Sequence, residues 1–224
     1  KKAYSENEVL HGVDLLVQRG DRLAIMGPNG IGKSTLLKIA VGNIVADNGE
    51  VEWGYETHPG YFAQDQEEDF HPPNATAEQW IRQHFPDQTI GAVRKRLGMV
   101  LFSGDDVEKP LSALSGGEAA RLVFARLALS SPNVLILDEP TNHLDLESIE
   151  SLVTGLKQYQ GSLIFVSHDR WFVSQLATRI VEIKPNEVID YHGSYEDYVH
   201  HCGDDHLDAD RVILKARREK KSGK

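Results

Sequence analysis

Gly27-Pro28-Asn29-Gly30-Ile31-Gly32-Lys33-Ser34-Thr35 follows a short apolar run, Arg22 to Met26, and precedes a helical pattern running from about Lys33 to Val41. Glycines at 27, 30 and 32 let the backbone turn tightly and aim its N–H groups inward. The helix that follows adds the positive end of its dipole. Such a loop between a strand and a helix cradles phosphates: Lys33 supplies a mobile point charge for the β and γ phosphates, Ser34 a hydroxyl for Mg²⁺, and Thr35 reaches the α phosphate.

Outward from this loop, two further stretches carry chemistry. Val134 to Leu137 is an uninterrupted apolar run between Pro132 and Pro140, the pattern of a strand buried on both faces of a parallel sheet. It ends in Asp138-Glu139. Two adjacent acids there cannot serve the core. Asp138 suits Mg²⁺ held through water, and Glu139 suits the orientation or deprotonation of an attacking water. The other stretch is Leu114-Ser115-Gly116-Gly117-Glu118. Ser115 and Glu118 have capping-box spacing and open a helix to about Leu129. The Ser115 hydroxyl and the N–H groups of that helix start form an anion site, which the glycine pair leaves open to another molecule's phosphate.

His168 lies one residue beyond another buried strand, Leu163 to Val166, and is placed to donate to a γ phosphate while bracing Glu139. Standing alone, such a histidine would be structural; its neighbours give it a role. Gln64 ends the extended stretch Gly60 to Ala63, where it would ligate Mg²⁺ or place water.

The remaining pattern gives the organisation. Val9 to Val17 reads as a strand, and extended Glu50 to Trp53 follows a turn at Asn48-Gly49. Together with Gly60 to Ala63, these early strands indicate an antiparallel sheet beside the main one. A helical stretch follows: Thr76 and Gln79 form a capping box, a helix spans about Thr89 to Val100, and Pro110 interrupts the chain before the Ser115 helix. Leu146 to Tyr159 is helical, and Ile180 to Ile183 and Val188 to Tyr191 are strands joined at Pro185-Asn186. The expected fold is a phosphate-loop α/β domain over residues 1–200. Its core sheet is mostly parallel, with an antiparallel flank and an inserted helical subdomain at about 70–130. A polar and basic tail covers 201–224.

Composition sets limits. At 224 residues, 40% hydrophobic and 26% charged, the chain has enough apolar material for one well-packed α/β domain. No window approaches the roughly 18 to 20 apolar residues of a membrane helix. A net charge of −10 argues against a domain wrapped in nucleic acid, although Arg211 to Lys221 is strongly basic. The single cysteine, Cys202, forbids an internal disulfide and fits a reducing cytoplasm. It stands near His200, His201 and His206, but without regular ligand spacing, so a solvated polar segment is the better reading. The chain opens on Lys1-Lys2 without methionine, which points to a piece of a longer protein.

With these motifs in this order, the chain resembles the ATP-binding cassette superfamily over nearly its whole length. It is most similar to the ABC-F branch, soluble proteins with two cassettes in one polypeptide that act on ribosomes. Asp138-Glu-Pro-Thr-Asn-His-Leu-Asp145, Ser167-His168-Asp169-Arg170 and Gly193-Ser194-Tyr195-Glu196-Asp197-Tyr198 carry that similarity. Ser148-Ile-Glu-Ser151 and the late Tyr-Glu-Asp-Tyr make it look like the second cassette of the YbiT-like bacterial subgroup. The resemblance implies that Tyr4 stacks on adenine and that residues 27–35 are the phosphate cradle. It implies further that Gln64, Ser115 and Gly117 contact nucleotide, that Asp138, Glu139 and His168 are the metal acid, base and switch histidine, and that Asp145 contacts a dimer partner. It also implies ATP and Mg²⁺ as ligands, a second cassette as partner, the ribosome as target and a cytoplasmic setting. The rival family role is the ATPase subunit of a membrane transporter, which would present a groove in the helical subdomain to its membrane partner.

Overall fold

Six strands form the central sheet in the order β4-β5-β6-β3-β7-β8. The computed structural model describes residues 1–4, 7–65, 70–99, 102, 104–185 and 187–202. Strands β3 (Arg22–Met26), β4 (Pro59–Phe62), β5 (Val134–Asp138), β6 (Ser162–Val166) and β7 (Arg179–Lys184) are parallel, and β8 (Glu187–His192) returns antiparallel along β7. Parallel neighbours need crossovers, and helices supply them.

Alternation along each strand sorts the core into two layers. Leu23, Ile25, Ile136, Ile164, Val166, Val181 and Ile183 face Leu37 of helix α1 (Lys33–Ala40). Ala24, Met26, Leu135, Leu137, Leu163 and Phe165 point the other way, into a larger core. Helices α4 (Gly116–Ser130), α5 (Leu146–Gln158), α6 (Arg170–Leu176) and α7 (Tyr195–Cys202) contribute to that second core. Both faces are covered, which is why β5 and β6 read as continuous apolar runs.

Between β4 and β5 lie α2 (Ala77–His84), α3 (Ile90–Met99), two 3₁₀ turns (Gly104–Glu108 and Leu111–Ala113) and α4. Both capping boxes read from spacing are formed. Thr76 accepts from the Gln79 N–H while Gln79 reaches back to the Thr76 N–H, and Ser115 and Glu118 do the same. Trp80 of α2 is fully buried, with Phe70 edge-on at 5.1 Å and Arg126 of α4 over its ring at 5.1 Å. Truncating it to alanine would cost about 3–5 kcal/mol.

Three expectations need correction. The strand read over Val9 to Val17 is shorter: β2 covers Asn7–Leu10 and pairs only with β1 (Lys2–Tyr4). Val13, Leu15 and Val17 do turn inward against the α1-side core, so the alternation was real. It reported one-sided burial, and a strand also needs a ladder partner. Glu50 to Trp53 forms no strand; all four residues are exposed. Strand β4 does not join the antiparallel flank. It runs parallel to β5 at the edge of the main sheet, so the flank is β1-β2 alone. Residues 203–224, which hold His206 and most of the expected tail, lie outside the described residues; residues 201 and 202 end α7.

Candidate functional site

Strand β3 delivers the chain to Gly27 at the top of the sheet. Gly32 then caps α1 from a left-handed conformation (φ 99°), and a side chain there would overlap Val9 and Leu10 at the end of β2. Pro28 and Ile31 close the loop by a backbone hydrogen bond of 3.3 Å. Lys33 is only 8% exposed, and its Nζ donates to the carbonyls of Gly27 at 2.8 Å and Pro28 at 3.0 Å. Burial pushes its pKa down, with Glu139 and Asp138 opposing that shift. Ser34 and Thr35 occupy the first turn of α1.

The parallel pairing of β5 with β6, next to β3, brings the two acids to the same end of the sheet as the loop. Ser34 Oγ donates to Asp138 Oδ1 at 3.0 Å. Asp138 is fully buried, and burial raises its pKa despite that bond. Its Oδ2 is buried without a well-formed hydrogen bond, although the Tyr61 hydroxyl acts on the carboxylate. A buried carboxylate left this way costs free energy unless a cation or proton completes it.

Glu139 is also buried and sits in left-handed backbone (φ 49°), which costs a non-glycine residue roughly 1 kcal/mol. Its N–H donates to the Val166 carbonyl at 2.9 Å, anchoring it to β6. Glu139 Oε2 accepts from the His168 N–H at 3.1 Å, and its Oε1 faces His168 Nε2 at 3.3 Å. The base candidate is thus braced twice by the histidine, whose own side chain is half exposed. Strain confined to a residue so held is characteristic of functional sites.

The structure therefore joins Lys33, Ser34, Asp138, Glu139 and His168 in one cluster. The donor set fits a hard cation beside an anion: a hydroxyl and an orphaned carboxylate oxygen on one side, an ammonium and a helix start on the other. Gln64 lies two residues beyond Phe62, whose partner is Leu137, so it emerges at the same edge as the acids. It is exposed and makes no hydrogen bond to Ser34 or Asp138. It lines a groove of about 930 Å³ with Lys38, His71, Gly116, Asn142 and His143.

Other expected site residues stand apart. Tyr4 is 47% exposed, with the Lys2 ammonium 5.6 Å from its ring, at the opposite end of β1-β2 from Leu10, which abuts the loop. Among the described residues, no hydrogen bond or ion pair links Ser115, Gly116 or Gly117 to residues 27–35. Ser115 is exposed, and its hydroxyl donates to Glu118 Oε2 at 2.9 Å. Glu118 in turn takes Lys109 Nζ at 2.7 Å, and these partners hold its pKa at about 2. Asp145, expected at a dimer contact, caps α5 through the Ser148 N–H at 2.8 Å.

Two participants escaped the sequence reading. Lys38 acts electrostatically on Asp138 and lines the groove; its position four residues after Ser34, on one helix face, was the available signal. Lys109 grips Glu118 from nine residues away, which no periodicity marks.

Sequence comparison decides the family: the profile of the ABC transporter family matches residues 10–142. This chain belongs to the ATP-binding cassette family. The cassette is 50% identical over 205 residues to the probable ATP-binding protein YbiT of Escherichia coli O157:H7, covering 90% of this chain and 38% of that protein. Against the uncharacterized ABC transporter ATP-binding protein YkpA of Bacillus subtilis it is 43% identical, over 86% of this chain and 36% of the relative. ABC transporter F family member 2 of Arabidopsis thaliana is 38% identical, over 86% and 28%. The cassette is thus of the ABC-F type, and it spans well under half the length of these relatives. Among the described residues, no helix is long and apolar enough to cross a membrane.

Proposed function

We propose that this cassette binds and hydrolyses ATP with Mg²⁺, as one of two cassettes that close head to tail. The observation that carries the proposal is the cluster of Ser34, His168 and the buried acids Asp138 and Glu139 against the phosphate loop. Residues 27–35 cradle the phosphates, and Lys33 exchanges its two carbonyl partners for phosphate oxygens. Ser34, Asp138 and Gln64 would hold a Mg²⁺ ion, which would supply Lewis-acid stabilisation of negative charge on the phosphates. Glu139 orients the attacking water and accepts its proton, held in place by the backbone and ring of His168. Tyr4 supports the adenine. Ser115 and the first N–H groups of α4 serve the nucleotide of a second cassette; among the described residues, the Ser115 hydroxyl is bonded to Glu118 and not to this chain's own loop.

The unit runs from residue 1 to the end of α7 at Cys202, with the elements at about 70–130 as its helical part. The whole protein would be a cytoplasmic factor that acts on the ribosome, opening when the γ phosphate is lost. Phosphate-release assays test the chemistry: the parent chain turns over ATP with Mg²⁺, and Glu139→Gln does not, while binding persists. Sedimentation of the whole protein carrying Glu139→Gln with ribosomes tests the target; ATP-dependent pelleting supports it. A second reading, a transporter subunit, draws on a groove of about 540 Å³ lined by Pro72, Gln79, Arg82 and Pro86. Recovery with membranes instead of ribosomes would favour that reading.

A further inference from the structure

The Gly193–Tyr198 motif takes no part in the chemistry above, yet it lies on a direct path to the phosphate loop. Ser194 caps α7, and the helix buries Tyr195 and Tyr198 against the sheet. The Tyr198 ring stands edge-on to Tyr191 at 5.6 Å. Its hydroxyl donates to Glu182 Oε2, with the Cys202 thiol as its other neighbour. Glu182 is 1% exposed on β7 and also takes Lys184 Nζ at 3.1 Å. A buried carboxylate depends on such partners to stay where it is.

Strand β7 continues the path. Glu182 pairs in register with Met26, the residue before the loop. The next carbonyl on β7, that of Ile183, packs so closely on Gly27 that a Cβ there would overlap it, and Gly27 adopts φ 141°. The Gly27 carbonyl in turn holds Lys33 Nζ at 2.8 Å. We infer that Tyr198 is a positioning residue for the phosphate loop, acting through Glu182 and the Ile183 backbone. The inference rests on the reading of that loop as the nucleotide site. It gives α7 a role in ATP affinity that its distance along the chain conceals.

Tyr198→Phe keeps the ring and removes only the hydroxyl. In the 224-residue chain, we expect it to weaken binding of a fluorescent ATP analogue with Mg²⁺ by about three- to tenfold, because only part of the loss of one charge-assisted hydrogen bond reaches the loop. Amide hydrogen exchange should quicken at residues 27–33 and stay unchanged at 162–166 in β6. Glu182→Gln, which leaves the hydroxyl an acceptor, should keep most of the affinity. Unchanged affinity with unchanged loop exchange would overturn the inference, and so would exchange that quickens equally in β6. If the parent chain itself fails to bind the analogue, the nucleotide reading falls, while loop exchange still judges Tyr198. Should Tyr198→Phe not fold, Lys184→Met removes another partner of Glu182; the same loop-confined change is expected, and no change refutes the coupling.

Discussion

The two ends of this cassette proposed to read phosphate are built in opposite ways. At the loop, Lys33, Asp138 and Glu139 are buried, and each is gripped by its own chain: Lys33 by two carbonyls, Asp138 by Ser34, Glu139 by His168. At the signature, the stretch Leu114 to Glu118, Ser115 is exposed, and among the described residues its hydroxyl is occupied only by Glu118 three residues on. Gly116 lies against His143 of the loop after β5, where an added Cβ would press on that side chain at 3.0 Å. The first end carries desolvation and strain, costs that a ligand within reach would offset. The second carries neither, as befits a surface offered to a neighbour.

The sharpest way to break this contrast is Glu139→Gln. We expect turnover to fall by roughly 10²–10⁴-fold with nucleotide binding retained, since a positioned base contributes on that order. Parent-like phosphate release would remove Glu139 from the chemistry. Asp138→Asn comes next, with opposite signs for function and stability. It should abolish the Mg²⁺-dependent part of nucleotide binding and yet raise the melting temperature of the ligand-free chain. The sign follows from burial: Asp138 has its pKa raised by desolvation, so its ionised form opposes folding. Stability of the parent should therefore decline as pH rises from the ordinary aspartate range through the raised value, and the Asn variant should lack that decline. A lower melting temperature for Asp138→Asn would contradict the burial argument.

Ser115→Arg probes the other end. Titration with nucleotide should give the parent's affinity in the isolated chain, while ATP-dependent pairing is lost. The smallest effect belongs to Glu118→Gln. Its carboxylate, held at about 2, adds stability above the usual glutamate range that is lost as pH falls toward 2. Because Lys109 is 40% exposed, that contribution stays below about 1 kcal/mol. Acid titration of both chains, followed by circular dichroism, should show the variant's acid limb to be shallower.

Legibility in the sequence followed the range of the interactions. The loop at 27–35, the acids at the end of β5 and both capping boxes are local, so spacing alone revealed them. Helix α7 also had a local signal, Ser194 with Asp197 three residues on, and α6 had Asp169 capping Phe172; both went unread. What spacing could not reveal was pairing. The inward turns of Val13, Leu15 and Val17 look like a strand until the absence of a ladder partner is seen. The place of β4 beside β5, rather than in the flank, depends on a crossover through α2, α3 and α4. In the site, the Ser34–Asp138 bond joins residues 104 positions apart, so their meeting was an expectation from chemistry and not from pattern.

The account stands on the claim that one chain supplies the loop and another the signature. The most direct measurement is ATP turnover per chain across a wide dilution series, repeated with Lys33→Ala chains added as loop-dead partners. We expect turnover per chain to fall on dilution and to recover when Lys33→Ala is added, but not when a Lys33→Ala, Ser115→Arg double variant is added. Turnover per chain that is constant at every dilution and indifferent to both partners would show a site complete within one copy, and would contradict the account.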